Sequence, residues 1–338
     1  MSRSHRPPRA RRARPLAPLL LALCLALPLA PAVRAQPVAS AQPEAPSGFD
    51  TLDLEWTDLA RQRSVPVRLY LPDSARADAP VPLIVFSHGI GGSRQGYSYL
   101  GRFWASQGYA SLHLQHVGSD RSLWGGNVLD LVSRLHGAAQ EAEAVARVHD
   151  LSFALDQLLA GPLAPRLDAQ RIVAAGHSYG ANTTLLAAGA TVQRDGRTLE
   201  LRDARIKAAI VLSAPPFYGE GAPARILAAV QVPSLHVTAT EDVIRIPGYY
   251  SGADDRVEVF EATGSARKTL AVFSGGAHSI FTDRIAPGGP QLNQQVKQAT
   301  RALSLAFLHS VFKGDDSALA AWPQQFAGIV ARYTRHTP

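Results

Sequence analysis

The stretch RIVAAGHSYGANTTLL, residues 171–186, constrains this chain more than any other. A β-branched and small apolar run leads into Gly176-His177-Ser178-Tyr179-Gly180, and a small-residue helical pattern follows at once. A strand joined to a helix by so few residues needs a very tight turn, and glycines on both flanks leave room for its backbone. Such a turn lifts the serine hydroxyl above the end of the strand. The free N–H groups and positive dipole end of the following helix then point at the same spot.

The runs around this stretch set the fold class. Segments 51–58 and 65–72 alternate polar and apolar residues, as half-exposed antiparallel strands do. Those at 82–88, 109–116, 171–177, 208–214, 234–240 and 268–276 are richer in continuous apolar residues, as strands covered on both faces are. Helical patterns at 94–107, 138–160, 179–190 and 253–262 separate the later runs, and 291–312 and 316–333 follow the last. This alternation predicts an α/β fold with a mostly parallel, eight-stranded sheet flanked by helices on both faces.

The first 35 residues read differently. A basic head from Arg3 to Arg14 precedes a Leu- and Ala-rich segment, and Val33-Arg34-Ala35 offers small residues where a signal peptidase inspects the chain. That order predicts a signal peptide cleaved after Ala35, and so an exported protein without a stable membrane anchor. Residues 36–48, rich in Pro, Ala and Ser, read as a flexible N-terminal segment, and 49–338 as a single domain. The net charge of +7 belongs to the leader. Seven of the 34 basic residues lie there with no acid among them, leaving 27 against 27 in the remainder. A nucleic-acid partner therefore loses its electrostatic support. The single cysteine, Cys24, is also in the leader, so the mature chain has neither a disulfide nor a thiol nucleophile. No metal-binding or phosphate-loop motif occurs, and no metal or cofactor is expected.

An attacking serine needs a base, an acid to orient that base, and donors for the developing oxyanion. Asp242 follows the run SLHVTAT, on the rim where Ser178 is expected, with Glu241, Asp254 and Asp255 as nearby alternatives. His278 lies in a Gly-rich loop after the run that ends the sheet. His88, His113, His116, His177 and His236 fit the base less well by position or chain order. Upstream, His88-Gly89-Ile90-Gly91-Gly92 follows the third run, so the N–H groups of Ile90 and Tyr179 are the expected oxyanion donors. Trp124 and Phe217, on loops over the same rim, are candidates to line the substrate cleft.

With these residues together, the chain resembles the α/β-hydrolase superfamily in its serine esterase branch, over roughly residues 50 to 335. FSHGIGG, GHSYG and TEDV are similar to segments of secreted enzymes of the dienelactone-hydrolase, platelet-activating-factor-acetylhydrolase and polyester-hydrolase kinds. Three departures stand out. The nucleophile is serine rather than the cysteine of dienelactone hydrolases. Ser213 occupies the place after the sixth run where acetylhydrolase relatives carry their acid. The oxyanion-loop aromatic and the disulfides frequent in polyesterases are missing. The resemblance implies an exported hydrolase of small or polymeric carboxylic esters. The absence of a long lid insertion favours short-chain esters, and a histidine base predicts activity climbing between roughly pH 6 and 8. An acyltransferase with the same triad, or a non-catalytic binding protein of the same fold, are the alternatives.

Overall fold

The computed structural model describes residues 48–337 except Asp195 and Pro247, with the Val128 side chain also left aside. The leader and nearly all of the flexible segment read from the sequence lie outside the described residues.

β1 (Phe49–Asp58) and β2 (Arg63–Pro72) pair as an antiparallel hairpin. β3 (Val81–Ser87), α1 (Ser98–Ser106), β4 (Ala110–Leu114), α2 (Leu131–Ala138) and α3 (Glu141–Ala160) follow. β5 (Leu167–His177) runs into α4 (Tyr179–Ala188), and a small hairpin, β6 (Thr191–Arg194) with β7 (Arg197–Glu200), comes next. Then come β8 (Ile206–Leu212), α5 (Pro223–Leu227) and β9 (Ser234–Glu241). A second small hairpin, β10 (Ile244–Ile246) with β11 (Tyr249–Ser251), leads to α6 (Ala253–Ala262) and β12 (Lys268–Ala277). α7 (Gly289–Lys313), α8 (Ser317–Gln325) and β13 (Val330–His336) complete the order.

The main sheet has nine strands in the order β1-β2-β4-β3-β5-β8-β9-β12-β13. Its centre from β4 to β12 is parallel, and the hairpin at one edge and β13 at the other are antiparallel. Alternation along each central strand divides the interior into two cores. Leu83, Val85, Ile172 and Ala174 face one way and pack with α3 and α4. Ile84, Phe86, Val173 and Ala175 face the other way and pack with α1, α7 and α8. Burial on both faces is why these strands read as continuous apolar runs.

The ninth strand departs from the eight expected. The helical pattern read over 316–333 ends at Gln325, and Val330–His336 pairs with β12 instead. This edge strand buries little, so its alternation is mostly polar and gives only a weak strand signal. The helix read over 138–160 starts at Glu141, and a separate helix, Leu131–Ala138, precedes it. No helix among the described residues is long and apolar enough to cross a membrane.

Candidate active site

Ser178 stands at the junction of β5 and α4 with φ 56° and ψ −124°, a backbone conformation seldom adopted outside glycine. Its neighbours explain how the turn closes. A Cβ on Gly176 would overlap the Gly180 carbonyl, and one on Gly180 would overlap the Ser87 carbonyl at the end of β3. The Ser178 N–H is held by the Leu212 carbonyl of β8 at 2.9 Å, which ties the turn to the adjacent strand.

Three strand ends bring partners to this hydroxyl. His278 follows β12, and its Nε2 lies 2.8 Å from Ser178 Oγ. Its Nδ1 lies 2.7 Å from Oδ1 of Asp242, just beyond β9. A carboxylate can only accept here, so Nδ1 carries the proton and Nε2 is free to accept from the serine. Ser213, at the end of β8, donates to Asp242 Oδ2 and sits 2.8 Å from His278 Nδ1. Thr238 donates to the same carboxylate oxygen at 2.7 Å. Asp242 is fully buried. Burial pushes its carboxyl up, but the His278 hydrogen bond and charge, with Arg256 and Ser213 behind them, hold it well below the usual range. The alternative acids are elsewhere: Glu241 is exposed, and Asp255 caps α6 by accepting from the Gly252 N–H at 2.6 Å.

The loop after β3 packs directly on the serine, since a Cβ on Gly89 would come within 3.1 Å of Ser178 Cβ. The Gly91 N–H binds the Ser119 carbonyl at 2.8 Å and the Gly92 N–H binds the Gly89 carbonyl at 3.0 Å. Among the described residues, the N–H groups of Ile90 and Tyr179 make no hydrogen bond, and both residues line the cavity that holds Ser178 and His278.

Residues 64–124 match the family model described as platelet-activating factor acetylhydrolase, isoform II. The match spans the strands and loop that lead to Trp124 and stops short of Ser178. No curated protein matches the chain. The matched segment and the nine-stranded, mostly parallel sheet agree on one superfamily. The chain has the α/β-hydrolase fold. The family match supports a hydrolase of the lipase and esterase type.

The cavity of this α/β-hydrolase measures about 680 Å³. Trp124 and Phe217 both lie in its wall. Trp124 is half exposed, and its Nε1–H binds the Gly91 carbonyl at 2.8 Å, so it braces the loop as well as lining the cleft. The other histidines are occupied. His177 bonds the His278 carbonyl through Nε2 at 3.0 Å and the Tyr97 hydroxyl through Nδ1 at 2.8 Å. Burial, with the charge of His278 behind it, pushes the His177 pKa down to about 3, so it stays neutral beside His278. Among the described residues, no group of three His, Cys, Asp or Glu side chains is placed to hold a metal ion.

Arg147 was not among the residues singled out in the sequence. This fully buried residue of α3 donates to the His88 carbonyl, to Ser119 Oγ at 2.7 Å and to Thr183 Oγ1 at 3.0 Å. Its guanidinium also lies 4.5 Å from the centre of the Tyr179 ring. One side chain thus grips both segments that offer free N–H groups to the cavity. Glu143 accepts from Ser119 at 2.8 Å, while His116 bridges Asp150 at 3.0 Å and Ser87 at 3.1 Å. Burial brings the Arg147 pKa down to about 10, against the raising influence of Tyr179, Glu143 and Asp150. In sequence, these charges sit in a long amphipathic pattern that reads as a solvated helix face. Only their i, i+4 and i+7 spacing from Glu143 marks them as a shared stripe.

Proposed function

We propose that this α/β-hydrolase cleaves carboxylic esters through a Ser178–His278–Asp242 triad and an acyl-enzyme intermediate. The observation that carries the reading is the unbroken hydrogen-bonded line from Ser178 Oγ through the imidazole to the Asp242 carboxylate. Ser178 Oγ attacks the ester carbonyl while His278 Nε2 takes its proton. Asp242 orients the ring and stabilises the imidazolium. The Ile90 and Tyr179 N–H groups receive the tetrahedral oxyanion, each worth about 3 kcal/mol in the transition state. His278 then protonates the departing alcohol, and the same histidine activates water to release the acid. The His278 hydrogen bond and charge, with Arg256 and Ser213, outweigh burial and keep the Asp242 carboxylate charged throughout this cycle. The leader read over residues 1–35 supports an exported enzyme.

The test is the hydrolysis of p-nitrophenyl esters from acetate to palmitate by wild type and Ser178→Ala. Loss of at least about 10⁴-fold in kcat is expected in the variant. Equal activity in the two proteins would remove Ser178 as nucleophile. Inertness of both across the series, with no labelling of wild type by a fluorophosphonate, would remove the esterase reading.

A further inference from the structure

The cavity that opens at Ser178 extends well past it. Tyr179, Asn182, Thr183 and Leu186 all line it, and their i, i+3, i+4, i+7 spacing places them on one face of α4. The trough therefore follows that face away from the serine. At the helical rise, Ser178 to Leu186 spans ~12 Å, enough for an extended acyl chain of about eight carbons. Ala144 and Val145 of α3 also line the trough. Beyond Leu186 comes the β6–β7 hairpin. Val192 pairs with Leu199 in register and Arg194 lies two residues on from Val192, so these three share one face of the hairpin, and Leu201, just past β7, lines the trough beside them.

Polarity changes along its length. Near Ser178 the wall carries Asn182 and Thr183, and Asn182 Oδ1 is buried with no partner. Farther along it carries Leu186, Val192, Leu199, Leu201 and Phe217. Leu199, Leu201 and Phe217 pack against the core beneath but stay only partly buried. A charged clasp also lines the trough, where Arg194 bridges Glu141 at 2.9 Å and Glu220 at 3.1 Å. It ties the tip of the hairpin to the start of α3 and to the loop after β8.

Polar groups beside the reacting carbonyl and then an apolar channel match the order of polarity in a fatty acyl ester. We propose that this trough is the acyl subsite, and that the preferred substrates are esters of medium-chain fatty acids with the clasp limiting their length. The proposal rests on Ser178 as nucleophile, and it departs from the short-chain preference expected from the missing lid. Each buried methylene raises transition-state binding by about fourfold until the channel is filled.

The experiment measures kcat/KM for p-nitrophenyl esters of increasing acyl length, and in parallel for acetates of increasing alcohol length. Wild type is expected to peak near octanoate, at least tenfold above acetate, with little gain from a longer alcohol. In Leu199→Trp the octanoate-to-acetate ratio should fall at least tenfold. Leu201→Trp repeats the test from the neighbouring position if the first variant does not fold. Arg194→Ala, which opens the clasp, should move the optimum to longer chains. A wild-type profile that falls steadily from acetate, or a gain with alcohol length alone, would overturn the acyl subsite while leaving the serine mechanism standing. An unchanged octanoate-to-acetate ratio in both tryptophan variants would overturn it too. Failure of the underlying reading looks different: no ester turned over and no fluorophosphonate labelling.

Discussion

Arg147 and Arg256 are both buried, one beside the loop after β3 and the other beside Asp242, and they are held in contrasting ways. Arg147 spends its guanidinium on three directed hydrogen bonds and a ring face. Arg256 has three side-chain nitrogens without a hydrogen-bond partner, and its nearest anion is Asp242 at 3.5 Å. The first fixes geometry, because hydrogen bonds are directional and weaken steeply off-axis. The second contributes field, because charge acts without alignment and is screened little in a buried setting. A hydrolase needs both: donors that do not move, and a carboxylate that stays ionised.

The largest effect expected from breaking this contrast is on the field side. Asp242→Asn removes the charge that Arg256 faces and the acceptor that fixes the His278 tautomer, so kcat should fall by about 10⁴-fold in steady-state assays. A loss below about tenfold would mean that another group orients the imidazole. On the geometry side, Arg147→Met frees the His88 carbonyl and the Tyr179 ring together. A fall of about 10²–10³-fold in kcat with little change in KM is expected, since the oxyanion donors matter most in the transition state. The same variant should lose about 3–5 kcal/mol in urea unfolding, because Glu143 and Asp150 lose a buried cation. Full kcat alongside that loss of stability would reduce Arg147 to a structural role.

A separate effect appears in stability against pH. His113, His177 and His236 are pushed by burial down to about 3, and His116 to about 4. The unfolded chain binds protons at these rings near pH 6.5, whereas the folded chain does not, so stability falls as pH drops below about 6.5. Each neutral ring contributes about 1.4 kcal/mol per pH unit while that difference lasts. Asp150, which burial pushes up but His116 and Arg63 bring down to about 2, works in a lower window. Its contribution is complete above the ordinary carboxylate value and disappears as pH falls towards 2. Urea midpoints between pH 7.5 and 5 should therefore decline before any carboxylate titrates. A flat profile would show that these rings are not kept neutral.

Much of the acid side was legible because its members sit at strand ends, where chain order alone places them on one rim. Ser178, Asp242 and His278 meet as their order suggests, and Ser213 stands where an acid was looked for, its hydroxyl reaching both Asp242 and His278. The Ile90 and Tyr179 N–H groups were legible as backbone consequences of a Gly-rich loop and a helix start. Arg147, His116 and Asp150 were not, because a charge on a helical pattern gives no sign of burial until its distant partners are known. The β6–β7 hairpin did leave a signal in Asp-Gly at 195–196 between two alternating segments, the dipeptide that favours tight hairpin turns. The edge strand β13 left almost none, because it has little apolar burial to pattern it.

That edge strand also orders events in time. β12 leads directly to His278 and lies between β9 and β13, so the strand before this histidine gains its outer neighbour only when Val330–His336 has been made. During synthesis from the N-terminus, Ser178 and Asp242 exist well before the strand leading to His278 is braced. A growing chain is thus expected to leave that histidine unbraced until β13 docks, a delay that topology alone supplies.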